Sequence, residues 1–223
     1  MYRPVSSGSG GPTSTAAGHH ILTLKELSLV VAVLVVALLI ALQRSAHLPN
    51  PQPLSIPASQ FSEERARAHL HELLSLGPQR TVGSEANEVK APEMILREVE
   101  RIQKQVGPAG VKIETDRQYG SGSFSLDFLE GFTSVYENVQ NVLVMLHGTE
   151  HPPEHGVLMI SAHYDSPVGT RGASDNGANI ANLLEILRNL ANDPPKRSCL
   201  FMFTGAEETI LQGSHMFSRS NHK

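Results

Sequence analysis

Five side chains in the second half of the sequence have the types and spacing of a metal-assisted hydrolytic site. His163 and Asp165 lie two positions apart, Asp175 follows, and Glu207 and Glu208 are adjacent. Imidazole and carboxylate are ligands for zinc, and a carboxylate just beyond a histidine can orient its ring from behind. A carboxylate such as Asp175 can bridge two metal ions about 3.5–4 Å apart. Of two neighbouring glutamates, one can hold metal while the other takes a proton from water, because adjacent side chains point differently. Each residue also has an ordinary explanation. A lone His-x-Asp is common, Asp175 can cap the helix after it, and Glu207 and Glu208 can occupy the first turn of a helix. Chemistry is indicated by all five arriving at one place.

The elements around them make that convergence possible. Val157 to Ala162 (VLMISA) is a short apolar run, the pattern of a strand buried on both faces, and it delivers His163. A helix with Ile180, Leu183, Leu184 and Leu187 on one face follows Asp175. Cys199 to Phe203 (CLFMF) reads as a second buried strand, which leads to the glutamate pair and a last helix. Strand, helix, strand, helix predicts an α/β fold with a mostly parallel or mixed sheet flanked by helices. Ligands in such sheets lie beyond the carboxyl ends of the strands, where His163 and Glu207 fall.

Upstream, Ser62 caps a helix whose apolar face is Ala66, Leu70, Leu73 and Leu74. A second helix is expected from Glu85 to Lys104 behind Ser84, with Pro92 kinking or dividing it. Residues 111–119, 123–128 and 135–146 read as strands.

The chain has 223 residues, a net charge of −4 and a single cysteine, Cys199. Lys and Arg are scattered and aromatic residues are few, which argues against nucleic acid as a partner. One cysteine excludes an internal disulfide framework. Residues 1–20 are rich in Ser, Gly, Thr and Pro and are expected to be a disordered tail. Residues 21–44 read as a transmembrane signal anchor built on LSLVVAVLVVALLIAL, and Arg44 stands where a cleaved leader needs a small residue. Arg3 and Lys25 on one side and Arg44 on the other leave its orientation unassigned by charge. Residues 45–60, with four prolines, are expected as an extended linker.

The runs ISAHYDS, GASDNGANIANLLEILR and CLFMFTGAEETILQGSHMF resemble the family 28 metallopeptidases, the zinc aminopeptidases and glutaminyl cyclases. GPQRTVGS at 77–84 and residues 120–146 resemble its endoplasmic reticulum branch. The resemblance covers residues 61–223 as a partial zinc peptidase domain. It implies that His163 binds one zinc ion, Asp175 bridges two, Glu208 binds the other, Glu207 is the general base and Asp165 steadies His163. The implied activity is hydrolysis of a peptide near its free amino terminus by a protein anchored in the endoplasmic reticulum membrane with a luminal domain. The family pattern places two further ligands, an acidic residue and a histidine, downstream of Glu208. His215 reads as structural and His222 as terminal, so the chain is expected to be the amino-terminal portion of a longer protein with impaired activity. Two alternatives keep the fold: acyl transfer as in glutaminyl cyclases, and a non-catalytic scaffold or receptor.

Overall fold

The computed structural model describes residues 23–46, 50–107 and 110–220. The tail over 1–20, the start of the anchor at 21–22, the linker residues 47–49 and His222 lie outside the described residues. The chain divides into two units, Met1–Asn50 and Pro51–Lys223.

The first unit holds helix α1, Leu24–Ala46. Its start is a reciprocal cap: the Thr23 amide donates to Glu26 Oε2 at 2.8 Å and the Glu26 amide to Thr23 Oγ1 at 3.3 Å. At 23 residues it is about 34 Å long, enough for a hydrocarbon core of about 30 Å. None of its residues is buried, and it is the one helix among the described residues long and apolar enough to cross a membrane.

The second unit is a mixed sheet with helices packed on it. Strands β1 (Ile113–Leu126), β2 (Phe132–Leu146), β3 (Leu158–His163) and β4 (Cys199–Thr204) lie in the order β1-β2-β4-β3. The β1–β2 and β2–β4 pairs are antiparallel, and β3–β4 is parallel, with His163 opposite Thr204. The two strands expected over 111–128 are one continuous β1, with a register shift between Gly120 and Gly122.

Helix α2 (Glu63–Ser75) begins at Ser62, whose hydroxyl accepts the Arg65 amide, as its sequence predicts. A wide turn over Ala86–Lys90 precedes α3 (Ala91–Val106), and Pro92 stands in the first turn of α3, so the proline divides the segment where its missing N–H costs nothing. Helix α4 (Ala178–Asn192) connects β3 to β4, and α5 (Gln212–Ser220) follows the glutamate pair. The main core joins Leu73, Met94, Ile95, Ile102, Leu184 and Leu187 to Val142, Val144, Phe201 and Phe203. A smaller cluster of Tyr136, Val139, Ala206 and Met216 sits under α5.

One expected strand differs in environment. The apolar run over β3 suits a strand buried on both faces, yet Leu158 is 56% and Met159 47% exposed. Its one partner among the described strands is β4, so its amino-terminal half is an edge. Burial returns at Ala162 and His163, where the site begins. β4, paired on both sides, is buried nearly throughout.

Two further features belong to this frame. Glu98 and Glu185 are buried between helices, where Arg188 Nη2 lies 2.5 Å from Glu98 and Arg65 Nη2 lies 2.8 Å from Glu185. His69 is buried beside them, 3.9 Å from Glu98, and desolvation lowers its pKa against the pull of that carboxylate. The Pro-rich residues 51–60 are fastened to the domain. Arg65 donates to the carbonyls of Leu54, Ile56, Pro57 and Gln60, and Asn189 donates to that of Ala58.

Candidate active site

β3 and β4 run in parallel and stop together, so the loops leaving them meet at one edge of the sheet. His163 is the last residue of β3 and is buried. Its Nδ1 faces Asp165, 3.2 Å from the backbone oxygen and 3.4 Å from Oδ1. That contact fixes the ring and turns Nε2 toward the other carboxylates. Nε2 lies 3.1 Å from Asp175 Oδ1 and 3.7 Å from Glu207 Oε2.

Asp165 is fully buried and ties the two strand ends together. Its carboxylate accepts the backbone N–H groups of Glu207 at 3.1 Å and Glu208 at 2.9 Å. One side chain thus orients the histidine and holds the backbone that carries the glutamates. Tyr164, also fully buried, passes so close to Gly205 that a Cβ there would stand 2.3 Å from the Tyr164 hydroxyl oxygen, so this crossing has room for glycine alone.

The ordinary explanations for the acidic residues do not describe this geometry. α4 is preceded by Gly177 with no side-chain cap, and Asp175 lies in the turn before it with its carboxylate on His163. The last helix does follow the glutamate pair, but α5 begins at Gln212, so the pair is not in its first turn. Residues 207–211 form a turn in which Ile210 and Leu211 have positive φ and the Leu211 amide donates to the Glu207 carbonyl. Glu207 and Glu208 are therefore held outside any helix, half-buried, at the mouth of the edge.

His163, Asp175 and Glu208 each offer one ligand atom, and these atoms lie within 4.8 Å of one another. Glu208 Oε1 is buried and has no hydrogen-bond partner among the described residues. A buried carboxylate oxygen without a donor is costly unless a cation meets it. Burial and the neighbouring Asp175, Glu207 and Asp165 carboxylates raise the Glu208 pKa, with His163 pulling the other way. At His163 burial opposes charge, but the hydrogen bond and charge of Asp165, then the charge of Glu207, lift its pKa to about 9. The donor set fits a divalent, zinc-type ion: one imidazole nitrogen and two carboxylates on a frame already short of positive charge.

His215 is not part of this set. Its ring packs on Phe124 at 4.5 Å and its Nδ1 lies 2.8 Å from the Tyr136 hydroxyl. Arg80, which carries no chemistry by type or spacing, proves to be built into the site's frame. It is fully buried and spans the loop between His163 and Asp175. Its one sequence signal is a charged residue inside the Gly- and Pro-bearing run GPQRTVGS.

Known proteins resemble this chain in sequence and in fold. The model of Peptidase family M28 matches residues 141–223. Endoplasmic reticulum metallopeptidase 1 of Homo sapiens is 38% identical over 96% of this chain, and that of Mus musculus 33% over 97%. The rat protein of the same name is 38% identical over 71%. The chain spans between 17% and 24% of the length of these relatives. Among solved structures, the LapA aminopeptidase of Legionella pneumophila has a TM-score of 0.55 at 16% identity, over 74% of this chain and 40% of that one. Fimbriiglobus ruber glutaminyl cyclase has a TM-score of 0.53 at 18% identity, over 78% and 59%. These two likenesses are ones of fold.

Proposed function

We propose, from the match of residues 141–223 to peptidase family M28 and the similarity to endoplasmic reticulum metallopeptidase 1, that the chain is the anchored, site-bearing part of a zinc-dependent exopeptidase of the endoplasmic reticulum membrane. The observation that carries the reading is the cluster of His163, Asp175 and Glu208 around a buried, unpartnered Glu208 oxygen. His163 Nε2, Asp175 and Glu208 would hold zinc, Asp175 being the carboxylate that the family pattern shares between two ions. Zinc, when bound, supplies Lewis acidity toward the peptide carbonyl and acidifies water.

The chain's own residues do the rest. Asp165 keeps His163 in the tautomer that presents Nε2. Glu207, 36% exposed in its side chain and 3.7 Å from that nitrogen, is the general base: it takes a proton from the attacking water and returns it to the departing amine. The substrate is a peptide or protein offering a free amino terminus. α1 is the membrane anchor, with the domain on the luminal side. Among the described residues, His163, Asp175 and Glu208 are the three donors gathered at this position.

Glu207→Gln tests the assignment of roles. At equal zinc loading, release of the amino-terminal residue from a short peptide should fall by about 10²–10⁴-fold. Zinc affinity should stay close to that of the unchanged protein. An unchanged rate in Glu207→Gln would remove the base from this position.

A further inference from the structure

Arg80 is the bulkiest side chain among the described residues that is buried without residue. Burying a guanidinium is costly unless its donors are used. Here Nε donates to the Tyr164 carbonyl at 2.8 Å, Nη1 to that of Arg171 at 2.7 Å and Nη2 to that of Gly172 at 3.3 Å. Its amide donates to Ser166 Oγ at 2.9 Å, and the Ser166 amide donates back to its carbonyl at 3.0 Å. No carboxylate forms an ion pair with it among the described residues, and the Asp165 charge acts on it only from a distance.

The acceptors say what it holds. Tyr164 follows His163, and Arg171 and Gly172 enter the turn that carries Asp175. The fork therefore closes both ends of the loop joining two of the candidate ligands. The loop is tight as well: Gly172 has φ of 57°, and a Cβ there would stand 2.6 Å from the Asp175 carbonyl and 2.6 Å from Ser166 Cβ. A planar fork holds its donors in fixed, spread directions, whereas a lysine offers its three from one rotatable ammonium.

We propose that Arg80 is a positioning residue for the metal site, its three-carbonyl clamp setting the loop 164–172 so that Asp175 meets His163 at the spacing from which both take a divalent ion. The proposal rests on the zinc reading above. It assigns Arg80 no contact with metal or substrate.

The test is a zinc titration of the full chain in detergent micelles, against a competing chromophoric chelator, with thermal unfolding of the zinc-free protein alongside. Arg80→Lys and Arg80→Met should each weaken zinc binding by about 10- to 100-fold, the loss typical of groups that support a metal ligand. Amide hydrogen exchange over 164–176 should quicken in both. Ile102→Ala, a core change in α3, should lower the Tm while leaving zinc affinity within about twofold, since truncating a buried aliphatic side chain acts on packing. A folded Arg80→Met with the affinity of the unchanged protein would overturn the proposal. So would an equal loss of affinity in Ile102→Ala, because stability alone would then account for it. His163→Ala should abolish tight binding; if it does not, the zinc site itself is misplaced, whatever the Arg80 variants do. Should Arg80→Met not fold, Ser166→Ala decides: weaker zinc binding in a folded protein supports the clamp, and unchanged binding overturns it.

Discussion

Between helices α2, α3 and α4, Glu98 and Glu185 face Arg65, Arg188 and Arg101; at the edge of the sheet, Asp165, Asp175, Glu207 and Glu208 face His163. Both groups bring carboxylates out of bulk water, and they are compensated differently. In the first, each glutamate has a guanidinium within 2.8 Å. There the carboxylates are met by guanidinium groups, and their charges hold helices together. In the second, the Arg80 guanidinium is spent on backbone carbonyls, and among the described residues the ion pairs of the carboxylates are with the His163 imidazole. An acidic excess on a rigid frame is what a cation site needs. Cation supply separates structure from site here, more than the residue types do.

Removing one carboxylate from each cluster should therefore act in opposite directions. The largest effect is expected for Glu185→Ala, which leaves the largely buried Arg65 without its carboxylate and Arg188 with Glu98 alone. Breaking such a pair costs about 3–5 kcal/mol. For a domain of this size that is a fall in Tm of roughly 10 °C, with zinc affinity of the folded protein little changed. A Tm within a degree of the original would show the first cluster to be ornamental.

Glu208→Gln should do the reverse. The zinc-free protein should melt at the same temperature or higher, because a carboxylate disfavoured by burial and by its acidic neighbours is gone. The stabilisation brought by added zinc should disappear. Scanning calorimetry with and without zinc separates the two; a clear loss of zinc-free stability would make the second cluster structural like the first.

The smallest effect is in pH. The His163 pKa is raised from the ordinary 6.5 to about 9. A raised pKa means stability fully present below the unfolded-state value and lost as pH climbs through the folded one. The zinc-free protein should lose stability from about pH 6.5 to about pH 9, while zinc binding, which needs neutral imidazole, strengthens over the same range. The slope should flatten in His163→Gln. A slope that survives that change would belong to another group.

How much of this was legible beforehand follows from range. The five chemistry-bearing residues could be named because each stands at a strand end or a turn, and apolar runs such as CLFMF announce strand ends locally. Ser62 as a cap and Pro92 as a divider are local for the same reason. Arg80 was not legible, since its partners lie between 84 and 92 residues away in sequence and are carbonyls, which every residue has. The exposure of β3 was hidden too: Leu158 and Met159 look like core until one knows which strands stand beside them. His69 was unreadable in the same way, a polar residue on a helix whose buried face also takes Ala66 and Leu73.

The Pro-rich strap has a practical consequence. By pattern the domain begins near Ser62, and a soluble version would naturally be cut there. Arg65 is 13% exposed in its side chain and spends its donors on carbonyls at 54, 56, 57 and 60 as well as on Glu185. Cutting at Ser62 would keep every helix and strand of the domain and still leave this guanidinium short of four acceptors. It would also expose the end of α2 that Ser62 now secures through Gln52 and Pro53. For anyone expressing the domain by itself, Pro51 is the first residue to keep.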